Sequence, residues 1–166
     1  KILNERNDIV FLFMNTRPLA IDSPNIIYVN GTYNLQHKSD FINTCEQGMR
    51  MVNQVNSDAL MLQLDTYHMN IEEKDPYQAI LNAGSKLGHF HACGSDRGTP
   101  GGDQINWNKI SSALHQINYD GDVVIESFIP DIEMIAKAAS IWRQFEPSQE
   151  DIAIKGLKFL KSCLIK

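Results

Sequence analysis

Three side chains that bind metal ions or move protons stand directly after short apolar runs. Asp65 closes residues 60–64, His91 closes residues 88–90, and Glu126 follows the Val-Val-Ile of residues 123–125. An acid placed after a fully apolar strand is costly unless a partner neutralises it, which favours a metal or ion-pair role for Glu126. Two carboxylates and one imidazole suit a divalent ion such as Mn, Co or Mg, whereas a closed structural zinc site uses more sulfur and nitrogen. Bound to a hydroxyl and an adjacent carbonyl, such an ion acts as a Lewis acid. It lowers the cost of removing the intervening proton by stabilising an enediolate, with a neighbouring carboxylate as the base.

His68, three residues past Asp65, suits a donor to a substrate oxygen, and Arg97 lies in a Gly-rich loop past His91 where substrate clamps are common. Each of these residues also has a plainer role open to it. Asp65 can cap the turn that follows, His68 can be a surface histidine, and Arg97 a solvated cation. His89 is expected to face away from His91, in packing or in a hydrogen bond to a ligand. Gly98 to Gly102 set turns and form no phosphate-cradling fingerprint, so no nucleotide site is assigned. Met49, Met51, Met61 and Met69 are packing residues, and Cys93 a small buried hydrophobe.

From residue 39 onward, helical and strand patterns alternate with turn residues at the joins. Asp40 is expected to cap a helix burying Phe41, Cys45, Met49, Val52 and Val55 and ending near Asn56 and Ser57. A strand over residues 60–65 leads into a polar loop. Asp75 then serves as N-cap, with Pro76 first in the helix, Gln78 as capping-box partner and Gly84 as the stop. A strand over residues 88–93 precedes the Gly-rich loop and a helix marked by Trp107, Ile110, Leu114 and Ile117. Residues 122–128 form a strand buried on both faces. One helix runs from near Asp131 to just before Pro147. The last has Ser148 and Asp151 in capping-box spacing and buries Ala153, Leu157, Leu160 and Leu164.

Regular alternation of this kind indicates parallel strands with right-handed crossovers, hence an α/β chain. Ligands of such folds gather at the carboxyl ends of the strands, where Asp65, His91 and Glu126 all lie. The chain divides into residues 1–38, in which only residues 9–14 and 26–29 look like strands, and residues 39–166. An open doubly wound sheet fits the same pattern; a closed (β/α)8 barrel takes about 250 residues, so a barrel reading of 166 residues is a partial one, a half-barrel with its helices outside.

With 15 Lys plus Arg against 20 Asp plus Glu, net charge −5, and basic residues scattered, the chain is unsuited to nucleic acid. Residues 9–14 are too short to span a bilayer, and no signal-peptide cleavage site follows them, so no membrane partner is expected. Cys45, Cys93 and Cys163 form no metal spacing and cannot all pair, which suits the cytoplasm. An open half-barrel exposes strand edges and apolar helix faces, so self-association or a homo-oligomer is expected unless residues 1–38 cover them.

The stretches DFINTCEQGM at residues 40–49, LDTYHMNIEE at 64–73, GHFHACGSDRGTPG at 88–101 and VVIESF at 123–128 closely resemble the ketose 3-epimerases acting on tagatose and psicose. These are members of the xylose-isomerase-like barrels. The similarity runs from about residue 39 to the carboxy terminus, the carboxy-terminal half of that family's barrel. It implies a metal held by Asp65, His91 and Glu126, substrate oxygens bound by His68 and Arg97, and Glu126 as one of two acid/base groups. The implied reaction removes the C3 proton of a ketohexose on one face and returns it on the other.

The family carries a second acid/base glutamate at the end of the preceding strand, and a further glutamate six residues later. A gapless count puts Thr32 and Lys38 at those positions, and neither replaces a glutamate. Three readings follow. One is a metal-dependent C3 epimerase of ketohexoses. The second is a truncated, catalytically impaired relative that only binds metal or sugar. The third, an abasic-site endonuclease of the same superfamily, needs clustered metals and a basic face that this composition does not supply.

Overall fold

The computed structural model describes residues 26–28, 42–57, 60–131 and 133–164. Among these, four strands form one parallel sheet: β1 (Ile26–Tyr28), β2 (Met61–Asp65), β3 (Leu87–Ala92) and β4 (Val123–Ile125), in the order β1-β2-β3-β4. Six helices accompany them, α1 (Cys45–Val55), α2 (Thr66–Glu72), α3 (Pro76–Ala83), α4 (Trp107–Gln116), α5 (Glu133–Ala139) and α6 (Gln149–Leu164). Sequential parallel pairing with helical crossovers is the geometry of a partial α/β barrel. β1 lies within residues 26–29, where the sequence suggested a strand. Thr32, Lys38 and Asp40 lie outside the described residues.

Helix α1 is capped by Thr44. Its hydroxyl accepts from Gln47 N while the Gln47 side chain accepts from Thr44 N, a full capping box. The helix therefore starts at Cys45, later than the sequence suggested, and ends as expected at Asn56 in a left-handed conformation (φ 49°). Val55, expected inside, is 52% exposed. Asp75 caps α3 through Tyr77 N and Gln78 N. The Gln78 side chain does not return to the cap; it donates to Asn82 Oδ1 on the next turn.

The polar loop expected after Asp65 is in fact α2, which begins at the very next residue. Helix α5 stops at Ala139, because Ser140 turns left-handed (φ 58°) and Ile141 N donates to Ala136 O. In α6 the buried positions are Ile152, Gly156 and Leu160; Leu160 was expected inside, whereas Ile152 and Gly156 each stand one residue before the expected Ala153 and Leu157. Gly156 permits this docking, since a Cβ there would lie 2.8 Å from Ile125 Cδ1 on β4. The main core gathers Leu62, Leu64, Phe90 and Ala92 of the sheet with Ile80, Ile110, Leu114 and Leu160 of the helices. A smaller cluster, Ala136, Ala139 and Ile141 with Phe128 and Phe145, lies beyond β4.

Candidate metal centre at the strand ends

The strand register brings the candidate residues together. Asp65 on β2 pairs with His91 on β3, and Ala92 pairs with Ile125, the last residue of β4 before Glu126. His91 Nδ1 lies 3.3 Å from Asp65 Oδ2 and 3.8 Å from Glu126 Oε1. Ligand atoms of Asp65, His68 and Glu126 all lie within 4.8 Å of one another. His68 thus joins the cluster that the sequence built from Asp65, His91 and Glu126 alone. Arg97 closes the rim, with Nη1 3.9 Å from Glu126 Oε2 and Nη2 3.5 Å from His68 Nε2.

Asp65 fills the capping role open to it with one oxygen and leaves the other at the rim. Its Oδ1 accepts from Tyr67 N and His68 N and so caps α2, while Oδ2 faces His91 without a well-formed hydrogen bond of its own. Because α2 starts at once, His68 occupies its third position and is folded back over the end of β2. Capping therefore ties the helix that carries His68 to the carboxylate beside it. Two features of the site were missed or misread in the sequence. Gln63, buried in β2 between Leu62 and Leu64, places Nε2 3.1 Å and 3.3 Å from the two ring nitrogens of His91. His89 and His91 share a face, as residues two apart on a strand must, with ring centroids 5.1 Å apart. The expectation that His89 points away is thereby overturned.

Burial, then the Asp65 charge, pushes the Glu126 carboxyl up to about 7. At Asp65, burial opposes ionisation but is outweighed by the close His91 imidazole and the charges of His68 and His91. Its carboxyl sits down at about 2. His91 behaves likewise: burial alone would lower it, but the close Asp65 carboxylate, then Glu126, hold it raised. His89, by contrast, is lowered to about 4 by burial and by His91. Without a further cation, Asp65 is therefore ionised and Glu126 keeps the pair's one proton up to about pH 7. A buried acidic pair facing imidazole, with one carboxylate oxygen lacking a hydrogen bond, fits a bound divalent ion.

Thr66 fastens the two strand ends. Its Oγ1 accepts from Cys93 N at 2.7 Å and donates to Cys93 O at 2.6 Å. Valine in place of Thr66 keeps the shape but strands a buried N–H, so the variant should lose about 1–3 kcal/mol of stability. Denaturant unfolding of the two proteins measures this, and Thr66→Ser should recover most of the loss.

A family model described as the xylose isomerase-like TIM barrel matches residues 34–163. The chain belongs to that family. Relatives within this barrel family include the probable ketose 3-epimerase of Synechocystis sp., 45% identical over 120 residues, which are 72% of this chain and 42% of that protein. A D-psicose 3-epimerase of Enterocloster bolteae is 35% identical over 119 residues, 72% of this chain and 40% of that one. Among solved structures, the D-allulose 3-epimerase from Methylomonas sp. superposes with a TM-score of 0.74 at 33% identity. The match covers 84% of this chain and 48% of that chain. The chain therefore spans less than half the length of the xylose-isomerase-like relatives it matches. Among the described residues, no helix is long and apolar enough to cross a membrane.

Proposed function

We propose that this chain carries part of the catalytic machinery of a metal-dependent ketose 3-epimerase, with a ketohexose such as psicose or tagatose as substrate. The observation that supports this most is the meeting of Asp65, His68, His91 and Glu126 at one rim of a parallel sheet. Asp65, His91 and Glu126 would hold the ion, Mn, Co or Mg, which would supply Lewis-acid stabilisation of charge developing on the sugar oxygens. His68 and Arg97 bind those oxygens and orient the C3–H bond. Arg97 supplies guanidinium donors aimed at the rim, its Nε lying buried with no hydrogen-bond partner.

Glu126 takes the C3 proton on its carboxylate, or returns it. In the metal-free chain its carboxyl is raised to about 7; a bound ion would favour the carboxylate form that accepts the proton. The group that exchanges the proton on the opposite face is not among the described residues. Three unpaired cysteines support a reducing compartment such as the cytoplasm. Self-association through the sheet edges or apolar helix faces belongs to the same proposal.

A second reading, binding of metal or sugar without turnover, draws on the register that puts Thr32 and Lys38 where the resemblance implies glutamates. Incubation with psicose, tagatose or fructose and added Mn in deuterated water separates the two. Deuterium uptake at C3, read by mass spectrometry and dependent on added metal, is the expected result. Absence of exchange with all three sugars rejects the epimerase reading, and calorimetric metal binding that persists in that case leaves the second.

A further inference from the structure

Arg97 is an unusual residue on which to hang a substrate contact. It sits in a loop and its backbone is left-handed (φ 64°), a conformation that non-glycine residues adopt only where the surroundings impose it. Backbone bonds provide part of that imposition: Arg97 N donates to Gly94 O at 2.9 Å, and Phe128 N donates to Arg97 O at 3.1 Å. These bonds fix the main chain, but not the long side chain, which has four rotatable bonds before its planar head. The head nonetheless lies in one place, with the side chain 13% exposed.

Beside the polar contacts to Glu126 and His68, two aromatic rings hold it. The guanidinium carbon stands 4.1 Å from the centroid of the Tyr67 ring, and Phe128 lies 5.7 Å away. The same Tyr67 ring packs edge-on against His68, with centroids 5.2 Å apart and planes at 81°. Tyr67 thus touches both residues assigned above to substrate oxygens, and it is placed by α2, the helix that Asp65 caps.

We propose that Tyr67 is a positioning residue: its ring fixes the plane of the Arg97 guanidinium and the tilt of the His68 imidazole, so that both present donors to the same ketose. The inference rests on the proposed function for its catalytic consequence, while the clamp itself is independent of it. The stacking contact is made by the ring face, so Tyr67→Phe should keep most of the clamp although it loses the phenol oxygen that also acts on Arg97, and Tyr67→Leu should not. Tyr67 is not a catalytic residue in this scheme, since it reaches substrate only through its two neighbours.

The experiment combines a spectroscopic and a kinetic readout on the full chain. In the parent, the Arg97 Nε–H proton should appear upfield in the NMR spectrum, because the guanidinium stands over the Tyr67 ring, and should exchange slowly with solvent because Nε is buried. Tyr67→Phe should preserve both features, and Tyr67→Leu should lose them. With Mn present, Tyr67→Leu should raise KM for psicose about tenfold with kcat changed much less and Mn affinity unchanged, the size expected for losing one partly desolvated cation–π contact. An ordinary, fast-exchanging Arg97 Nε–H in the parent overturns the clamp, as does a Tyr67→Leu spectrum like the parent's. A KM that stays constant, or that moves only together with Mn affinity, overturns the positioning role. If Tyr67→Leu does not fold, the parent and Tyr67→Phe spectra decide the matter. If the parent neither binds nor exchanges any ketose, the proposed function fails, while the spectra still decide the clamp.

Discussion

Glu126→Gln should reduce metal-dependent C3 exchange by a factor of about a thousand, near the middle of the range for loss of an acid/base group, while leaving the metal-free protein at least as stable as the parent. The two halves of that expectation come from the same geometry. Glutamine fills the same space but carries no exchangeable carboxyl proton, and it removes an anionic candidate ligand from beside Asp65 and His91. Yet Glu126 is held up to about 7 by burial and by the Asp65 charge, so in the absence of metal its ionised form is disfavoured and its neutral isostere is not. A chain in which activity collapses while thermal stability holds or rises is the signature of a residue kept for chemistry. Exchange within tenfold of the parent would show that Glu126 does not move the proton.

The same carboxyl should make metal-free stability fall as pH rises. A folded-state value near 7 against an ordinary 4.5 gives a contribution that is complete below about 4.5 and lost as pH climbs through about 7, on the order of 3 kcal/mol. His91, also raised, acts in the same direction. His89 acts against it, because its value near 4 gives a contribution present above its ordinary value and lost as pH falls through about 4. Asp65, lowered to about 2 from 3.8, gives a contribution present above 3.8 and lost as pH falls toward 2, outside this window. Comparing the parent with Glu126→Gln by denaturant unfolding from about pH 5 to about pH 8 isolates the Glu126 contribution. The parent should weaken relative to the variant across that range. Metal affinity should run the opposite way, rising with pH because an ion must displace the Glu126 proton. A stability difference that does not change with pH would remove the electrostatic basis of the site.

How far this site was legible in the sequence differs from residue to residue. Asp65, His91 and Glu126 stood out because each interrupts an apolar run at its carboxyl end, and a parallel sheet places those ends on one rim. His68 was singled out as a donor to substrate, but the approach of its ring to the carboxylates of Asp65 and Glu126 was not visible. It depends on α2 starting directly at Thr66, and a stretch as polar as TYHMNIE resembles a loop unless the capping by Asp65 is recognised. His89 was misplaced by an error of strand periodicity, since a spacing of two keeps side chains on one face.

Gln63 offered a usable signal, a lone amide between Leu62 and Leu64 in a buried strand, whose partner only the register with β3 reveals. The early end of α5 had none, because Ser140 adopts a left-handed turn without a glycine or proline to mark it. Tyr67 and Phe128 resemble ordinary packing residues in sequence, and their contact with Arg97 requires a loop and two strand ends to be assembled first.

The most direct test of the metal centre is a calorimetric titration of the folded chain with Mn, in parallel with Asp65→Asn and Glu126→Gln. One ion should bind per chain, and each variant should weaken that binding at least about tenfold, since each loses an anionic ligand at a buried site. A well-folded parent that takes up no Mn, or variants that bind it as tightly as the parent, would contradict the assignment of these strand ends as a metal centre.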